Sequence, residues 1–380
     1  AADSDQRLQA AVTFELSHNE NNGHVFLPRN KLIAATVQLL DCPANLVEQA
    51  LDSLIDRGAV VQEQVANVEA CYLRRLWEAE QSACIRMAGL LAADTDQSRQ
   101  ADRAVDEIQA QQGITYAPQQ RQAVELAARC GVLILTGGPG TGKTTTVRGI
   151  VALFRKMGLE IVLAAPTGRA AKRMSELTGM EAQTVHRLLG MSWNDATHQV
   201  TFQKTEKEPL EADAVIVDEM SMVDLALFSA LLRALRPGTR LVLVGDADQL
   251  PSVGAGNVFS DLIRSGKVET VFLREVFRQA EQSAIIRNAH AVNLGQPPQL
   301  ANNQGDFFFL CRRDGERTLS TVVELCKTRL PDHMGIPADQ IQVLSPTRKG
   351  PSGTENLNRC LQAALNPPAA DKREIQWGER

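Results

Sequence analysis

The sequence predicts an α/β protein centred on a parallel sheet with helices on both faces. Three observations lead there. Between about residues 113 and 290, short apolar runs rich in β-branched residues alternate with stretches of helical period. One run, Val132 to Leu135, leads directly into Gly137-Gly138-Pro139-Gly140-Thr141-Gly142-Lys143-Thr144. Another, Ala214 to Val217, ends on the acidic pair Asp218-Glu219.

Size and composition set the frame. At ~100 to 200 residues per domain, 380 residues give two to three domains, and 44% hydrophobic residues can fill their cores. A net charge of -5 excludes a generally basic coat for nucleic acid, so any grip on it must be local. Seven cysteines form no CxxC pair and six histidines are dispersed, which leaves neither a zinc set nor a disulfide framework and predicts reduced, mostly buried thiols. No apolar run approaches the ~18 residues of a membrane span, and the first thirty residues lack the order of a secretory signal. A cytoplasmic protein with no membrane partner is expected.

Residues 1–110 read as a helix-rich N-terminal domain. Leu46, Val47, Ala50, Leu51, Leu54 and Ile55 form a stripe of helical period that ends at Gly58 and runs into the strand-like Ala59-Val60-Val61. Helices followed by a short strand predict a winged-helix-like bundle; an accessory domain for nucleic acid or a partner and a packing domain both fit. The polar stretch Ala93 to Gln100 and the helical Asp102 to Gln112 connect it to residues 113–294. There the predicted strands are Val132 to Leu135, Ile161 to Ala164, Ala214 to Val217, Leu241 to Val244 and Val271 to Leu273. The polar insertion Trp193 to Pro209 reads as a small projecting β-hairpin or a disordered surface loop. Gly295-Gln296-Pro297-Pro298 breaks the pattern and opens residues 295–380, with strands expected near Phe307 to Leu310 and Ile341 to Leu344. This segment runs out before a second sheet is complete, so the chain reads as truncated.

The full GxxxxGK[ST] pattern between a strand and a helix is a P-loop. Its glycines let backbone N–H groups turn inward around phosphates, the helix N-terminus adds its dipole, Lys143 reaches the β- and γ-phosphates and Thr144 offers a hydroxyl to Mg²⁺. Gly138, Pro139, Gly140, Thr141, Gly142, Lys143, Thr144 and Thr145 form the expected ATP-binding set. Asp218 is the expected second Mg²⁺ ligand, and Glu219 is placed to polarise an attacking water. In Leu241-Val242-Leu243-Val244-Gly245-Asp246-Ala247-Asp248-Gln249-Leu250, Gln249 is either a γ-phosphate sensor or part of an ordinary Asp-rich turn.

An ordered set of motifs then becomes specific. It comprises Tyr116-Ala117-Pro118-Gln119-Gln120-Arg121, the P-loop, Ala165-Pro166-Thr167-Gly168-Arg169-Ala170-Ala171, Thr184-Val185-His186, the Asp218-Glu219 pair and the GDADQLPSV run. Over about residues 113–350 it resembles superfamily 1 helicases, most closely the RecD-like, exodeoxyribonuclease V alpha-subunit-like group. The resemblance implies RecA-like P-loop NTPase motor domains, the second one incomplete here. It implies that Gln120 reads the adenine edge and that Pro166, Thr167, Arg169, Thr184 and His186 line a DNA path, with Lys172 and Arg173 extending a basic helix face. It also implies that Arg278 reaches the γ-phosphate as an arginine finger, with Arg274 a weaker candidate. Thr347 and Arg348, in Val343 to Gly350, would contact phosphates at the start of the second motor domain.

These expectations add up to an ATP- and Mg²⁺-dependent DNA helicase moving 5′ to 3′ on single-stranded DNA in recombination or repair. Its expected partners are single-stranded or tailed DNA and other subunits of a nuclease–helicase complex. Two alternatives remain at this stage. The helicase portion of a conjugative relaxase would need catalytic tyrosines and a histidine cluster, and Tyr72 and Tyr116 are the only tyrosines. A regulatory P-loop ATPase without translocation would have no use for hydroxyl and cationic groups at both Pro166–Ala171 and Ser345–Gly350.

Overall fold

The computed structural model describes residues 4–93, 98–194, 199–274, 283–300 and 305–368. The chain divides into two compact units, Ala1–Gln296 and Pro297–Arg380, at the predicted Pro/Gly breaker.

The first unit begins with α1 (Asp5–Glu20), β1 (Phe26–Pro28), α2 (Arg29–Leu40), α3 (Ala44–Asp56), β2 (Val60–Val65) and β3 (Val68–Leu73). The predicted stripe is the buried face of α3, where Val47, Ala50, Leu51 and Leu54 meet Leu8 and Val12 of α1 and Leu32 of α2. β2 and β3 form a hairpin closed by Ala66-Asn67, both at positive φ (45° and 66°), as a two-residue primed turn requires. β1 adds to the free edge of β3, giving the antiparallel order β1-β3-β2. Three helices with a hairpin after the third make the winged-helix arrangement.

α4 (Arg74–Ala92) and α5 (Ser98–Gln112) leave this bundle and join the larger sheet. Ala83, Met87 and Leu90 of α4 recur at helical spacing and pack with Phe228 and Leu231 of α10 (Leu225–Ala234) on one face. Val105 and Ile108 of α5 pack with Ile150 and Phe154 of α7 (Lys143–Lys156) on the other. The layers of the sheet domain therefore take in residues that the sequence reading grouped with the N-terminal helices.

The sheet has six strands in the order β11-β4-β10-β9-β5-β6, all parallel. The predicted runs are β4 (Val132–Gly137), β5 (Ile161–Ala165), β9 (Ala214–Val217), β10 (Arg240–Gly245) and β11 (Glu269–Leu273). β6 (Ala182–Thr184) carries no apolar run and escaped prediction. Side chains Val132 to Leu135 and Ala214 to Val217 are at most 1% exposed, as strands covered on both faces must be. Burying each large side chain stabilises the fold by roughly 1.5–3 kcal/mol. α6 (Pro118–Ala127, with proline at its first position) and α8 (Gly168–Thr178) complete the helices around the site. α9 (Val185–Leu188) follows β6, and α11 (Val258–Ser265) precedes β11.

Among the described residues the insertion after α9 is a hairpin of β7 (Met191–Asn194) and β8 (Gln199–Phe202), which begins before Trp193 and ends at Phe202; residues 195–198 of the expected segment lie outside the described residues. Residues 203–209 anchor it instead. Gln203 and Lys204 donate their N–H groups to Leu189 O at 3.0 Å, and Glu206 takes Arg233 in two hydrogen bonds (2.8 and 3.2 Å) and Arg86 at 3.1 Å. Gly190 turns at the base with φ +63°, and a Cβ there would lie 2.9 Å from Gln203 Cβ.

The second unit corrects a prediction. Phe307 to Leu310 and Ile341 to Leu344 are not strands; among the described residues no strand follows Leu273. A strand is defined by its ladder, and among the described residues neither run belongs to one of the three sheets. The unit is built on a nearly continuous helical stretch from Gly315 to Met334, with a π-helical turn at Leu325–Arg329, and on the helix Thr354–Leu365. No helix of the described residues is long and apolar enough to cross a membrane.

Candidate functional site

β9, β10 and β4 are adjacent and parallel, so the loops that follow them open at one edge of the sheet. That edge holds a cleft of about 650 Å³. The P-loop forms one side. Gly140 and Gly142 sit at φ +76° and +81°, where a side chain would be strained, and Gly142 caps the N-terminus of α7. At Gly137 a Cβ would lie 2.6 Å from Thr141 Oγ1 and 2.8 Å from Leu273 O, so a larger residue would push the loop away from β11. The loop is tied across itself: Lys143 Nζ donates to Gly137 O and, at 3.1 Å, to Gly138 O, while Thr141 Oγ1 donates to Gly138 O at 2.9 Å. Its shape is thus set within the protein.

Gln120 lines the same cleft and is only 2% exposed. Its Oε1 accepts from Ala117 N at 3.0 Å and its Nε2 donates to Gly142 O at 3.4 Å. The side chain makes half a capping box and joins the start of α6 to the last glycine of the P-loop.

Asp218 and Glu219 face the P-loop across the cleft. Asp218 accepts the Glu219 N–H at 2.8 Å. Burial pushes its carboxyl above the usual value, opposed by that hydrogen bond and by the charges of Lys143 and Arg173. Burial also raises Glu219, with the charges of Asp218 and Asp246 adding and those of Lys143 and Arg173 opposing. Glu219 stands at φ +53°, the left-handed region that costs a non-glycine residue of order 1 kcal/mol. A strained acid beside a buried one is the arrangement expected where chemistry is done.

β10 brings in a third element. Asp246, 4% exposed, accepts from Asp248 N at 3.1 Å, and Ala247 N donates to Thr136 Oγ1 at 3.2 Å, locking the turn to β4. Gln249 follows, exposed, at the mouth of the cleft. Gln120, Pro139, Lys143, Thr144, Thr145, Asp218, Glu219 and Gln249 are therefore brought together as the sequence reading expected. Asp246 and Arg173 also line the cleft; Asp246 was missed, its one signal being the acid at a strand end, and Arg173 was expected on a basic helix face beside the DNA path. Arg278 lies outside the described residues. Arg274 is described, and its guanidinium sits 5.5 Å over the Phe272 ring.

The candidate DNA contacts in the first unit share an edge. β5 and β6 pair Ala165 with Thr184, so Pro166-Thr167 and Thr184-His186 leave adjacent strand ends. Thr167 Oγ1 caps α8 by accepting from Ala170 N (3.3 Å), and Thr184 Oγ1 caps α9 by accepting from Arg187 N (3.2 Å). Arg169 is exposed in the first turn of α8. In the second unit Arg348 pairs with Glu355 at 2.8 Å and Thr347 N donates to Ser345 Oγ at 3.3 Å.

A family model described as an AAA domain matches residues 120–255. The "ATP-dependent RecD2 DNA helicase" of Deinococcus radiodurans is 35% identical over 378 residues, covering 97% of this chain and 50% of the relative. The "RecBCD enzyme subunit RecD" of Mycolicibacterium smegmatis is 32% identical over 384 residues, covering 91% and 66%. Among solved structures, the Pif1 helicase from Candida albicans is 22% identical with a TM-score of 0.37, covering 56% of this chain and 55% of that one. The chain thus spans about half to two thirds of the length of these curated relatives. With RecD proteins matching over nearly its whole length, the chain belongs to the RecD-like family.

Proposed function

We propose that the chain is the ATP-hydrolysing part of a DNA helicase that moves 5′ to 3′ on single-stranded DNA in recombination or repair. The observation that carries this reading is the convergence of Lys143, Thr144, Asp218, Glu219 and Gln249 on one cleft whose opposite wall, α8, begins at the Thr167 cap.

The residues fit ATP and Mg²⁺. The glycine cradle and α7 N-terminus suit phosphates, and Lys143 replaces its bonds to the loop carbonyls with bonds to phosphate. Among the described residues no group of three or more His, Cys, Asp or Glu could hold a metal by itself. Thr144 and Asp218 would hold a magnesium ion together with phosphate oxygens, and the ion would supply neutralisation of charge on the transferred phosphoryl group. Glu219 orients the attacking water and accepts its proton, and burial, by raising its carboxyl above the usual value, makes it a stronger base than a solvated glutamate. Gln120 positions the base edge, and Arg278 is assigned the finger that stabilises the transferring phosphoryl. Pro166, Thr167, Arg169, Thr184 and His186, with Thr347 and Arg348, hold DNA phosphates without reading bases.

The exposed Met191, Trp193 and Val200 on the hairpin give it an apolar surface against which a duplex is split. The chain's place is the cytoplasm, on single-stranded or tailed DNA, alone or with other subunits of a nuclease–helicase complex. ATP turnover with and without single-stranded DNA tests the reading, on this chain and on a form extended to the length of its relatives. Stimulation by DNA in the extended form is expected; turnover indifferent to DNA in both favours the regulatory ATPase. Removing the hairpin should abolish unwinding and spare DNA-stimulated turnover.

A further inference from the structure

α8 has two ends with different surroundings. Its first turn carries Thr167 and Arg169 at the strand edge assigned to DNA, while Ala170, Arg173, Met174, Leu177 and Thr178, spaced by three and four, turn one face to the nucleotide cleft. Among the described residues, Arg173 and Lys143 are the cations that line that cleft. Their situations differ. Lys143 is spent on the carbonyls of Gly137 and Gly138. Arg173 makes no hydrogen bond or ion pair within 4 Å with the described residues, whereas its neighbour Lys172 points away and pairs with Glu176 at 3.9 Å. The charge of Arg173 still reaches both Asp218 and Glu219. An exposed guanidinium with no hydrogen bond or ion pair among the described residues, its charge felt by both carboxylates, is suited to a phosphate between them, two of whose oxygens its fork can take together.

We propose that Arg173 contacts the terminal phosphate of the bound nucleotide, making α8 a single lever with a DNA-facing end and a phosphate-facing side chain. This rests on the reading of the cleft as the ATP site. It adds a cation supplied from within the first unit, on a helix whose other end answers to DNA.

Equilibrium binding of fluorescent ADP and of a fluorescent, non-hydrolysable ATP analogue, both with Mg²⁺, separates the possibilities. The proteins compared are the 380-residue chain and its Arg173→Ala, Arg173→Lys and Lys143→Ala variants, each checked by circular dichroism. Arg173→Ala should weaken the ATP analogue by about tenfold and leave ADP within about twofold, as loss of one charge-assisted bond to the terminal phosphate predicts. Arg173→Lys should recover part of the loss, since charge remains and the fork does not. Equal weakening of both nucleotides, or no change in either, overturns the proposal while Lys143→Ala still loses binding. If Lys143→Ala binds both nucleotides like the unaltered chain, the cleft is not the ATP site and the Arg173 assignment falls with it.

Discussion

β10 and the run Ile341 to Leu344 look alike as strings of residues, one Leu241-Val242-Leu243-Val244 and the other Ile341-Gln342-Val343-Leu344. In the sheet, Leu243 is 0% exposed, paired with Ile134 and Val217 on either side. In the second unit, Leu344 is 85% exposed and its run joins no ladder among the described residues. The first unit buries strands between two layers of helices; the second buries little beyond Cys326 and Leu357 among its described residues. Strand character is thus a property that neighbours confer. The same contrast explains where chemistry is concentrated, because only a rigid sheet edge can hold Lys143, Asp218 and Glu219 against one another despite burial and strain.

The sharpest way to break this contrast is a matched pair of truncations. Leu243→Ala should cost about 2–5 kcal/mol in a urea melt of the first unit, and Leu344→Ala no more than about 0.5 kcal/mol. Similar losses at both sites would mean that Ile341 to Leu344 is as well packed as β10. A second substitution sharpens it at the site itself. Asp218 has a raised carboxyl in the fold, so its ionisation opposes folding: the penalty is absent below the ordinary value of 3.8 and develops as pH rises through the higher folded value. Asp218→Asn should therefore raise the thermal midpoint at neutral pH, by less than the Leu243 loss, while removing Mg²⁺-dependent turnover; a lowered midpoint would contradict the burial account. The smallest effect belongs to the hairpin anchor. Hydrogen bonds from Arg233 draw Glu206 down from 4.5 to about 2, with Arg86 adding its charge, so its contribution is present above pH 4.5 and fades as pH falls toward about 2. Glu206→Gln should cost under about 1 kcal/mol at pH 7, with the difference from the unaltered chain shrinking through that window.

Much of the site was legible because its signals are local. A P-loop is contiguous, and Asp218-Glu219 announces itself at the end of an apolar strand. The α3 stripe and the breaker at Gly295–Pro298 were equally plain. What escaped depends on contacts distant in sequence. β6 is three half-buried residues that pair only because β5 lies beside them. The anchoring role of residues 203–209 needs Arg233 and Arg86, which come from two other helices. Arg173 read as part of a basic helix face; both it and Lys172 are exposed, and only the packing of α8 against the cleft puts Arg173 on its lining and leaves Lys172 off it. α4 and α5 carry amphipathic stripes, but which layer those stripes cover is decided by α10 and α7.

The central claim is that this sheet edge binds Mg²⁺ and ATP through Lys143. Its most direct test is the thermal midpoint of the chain with and without saturating Mg²⁺ and ATP, beside Lys143→Ala. A ligand at about 100 times its Kd stabilises by roughly 2.7 kcal/mol. The account predicts a rise of that order in the unaltered chain, smaller without Mg²⁺ and lost in Lys143→Ala; no rise, or a rise that Lys143→Ala leaves intact, would contradict it.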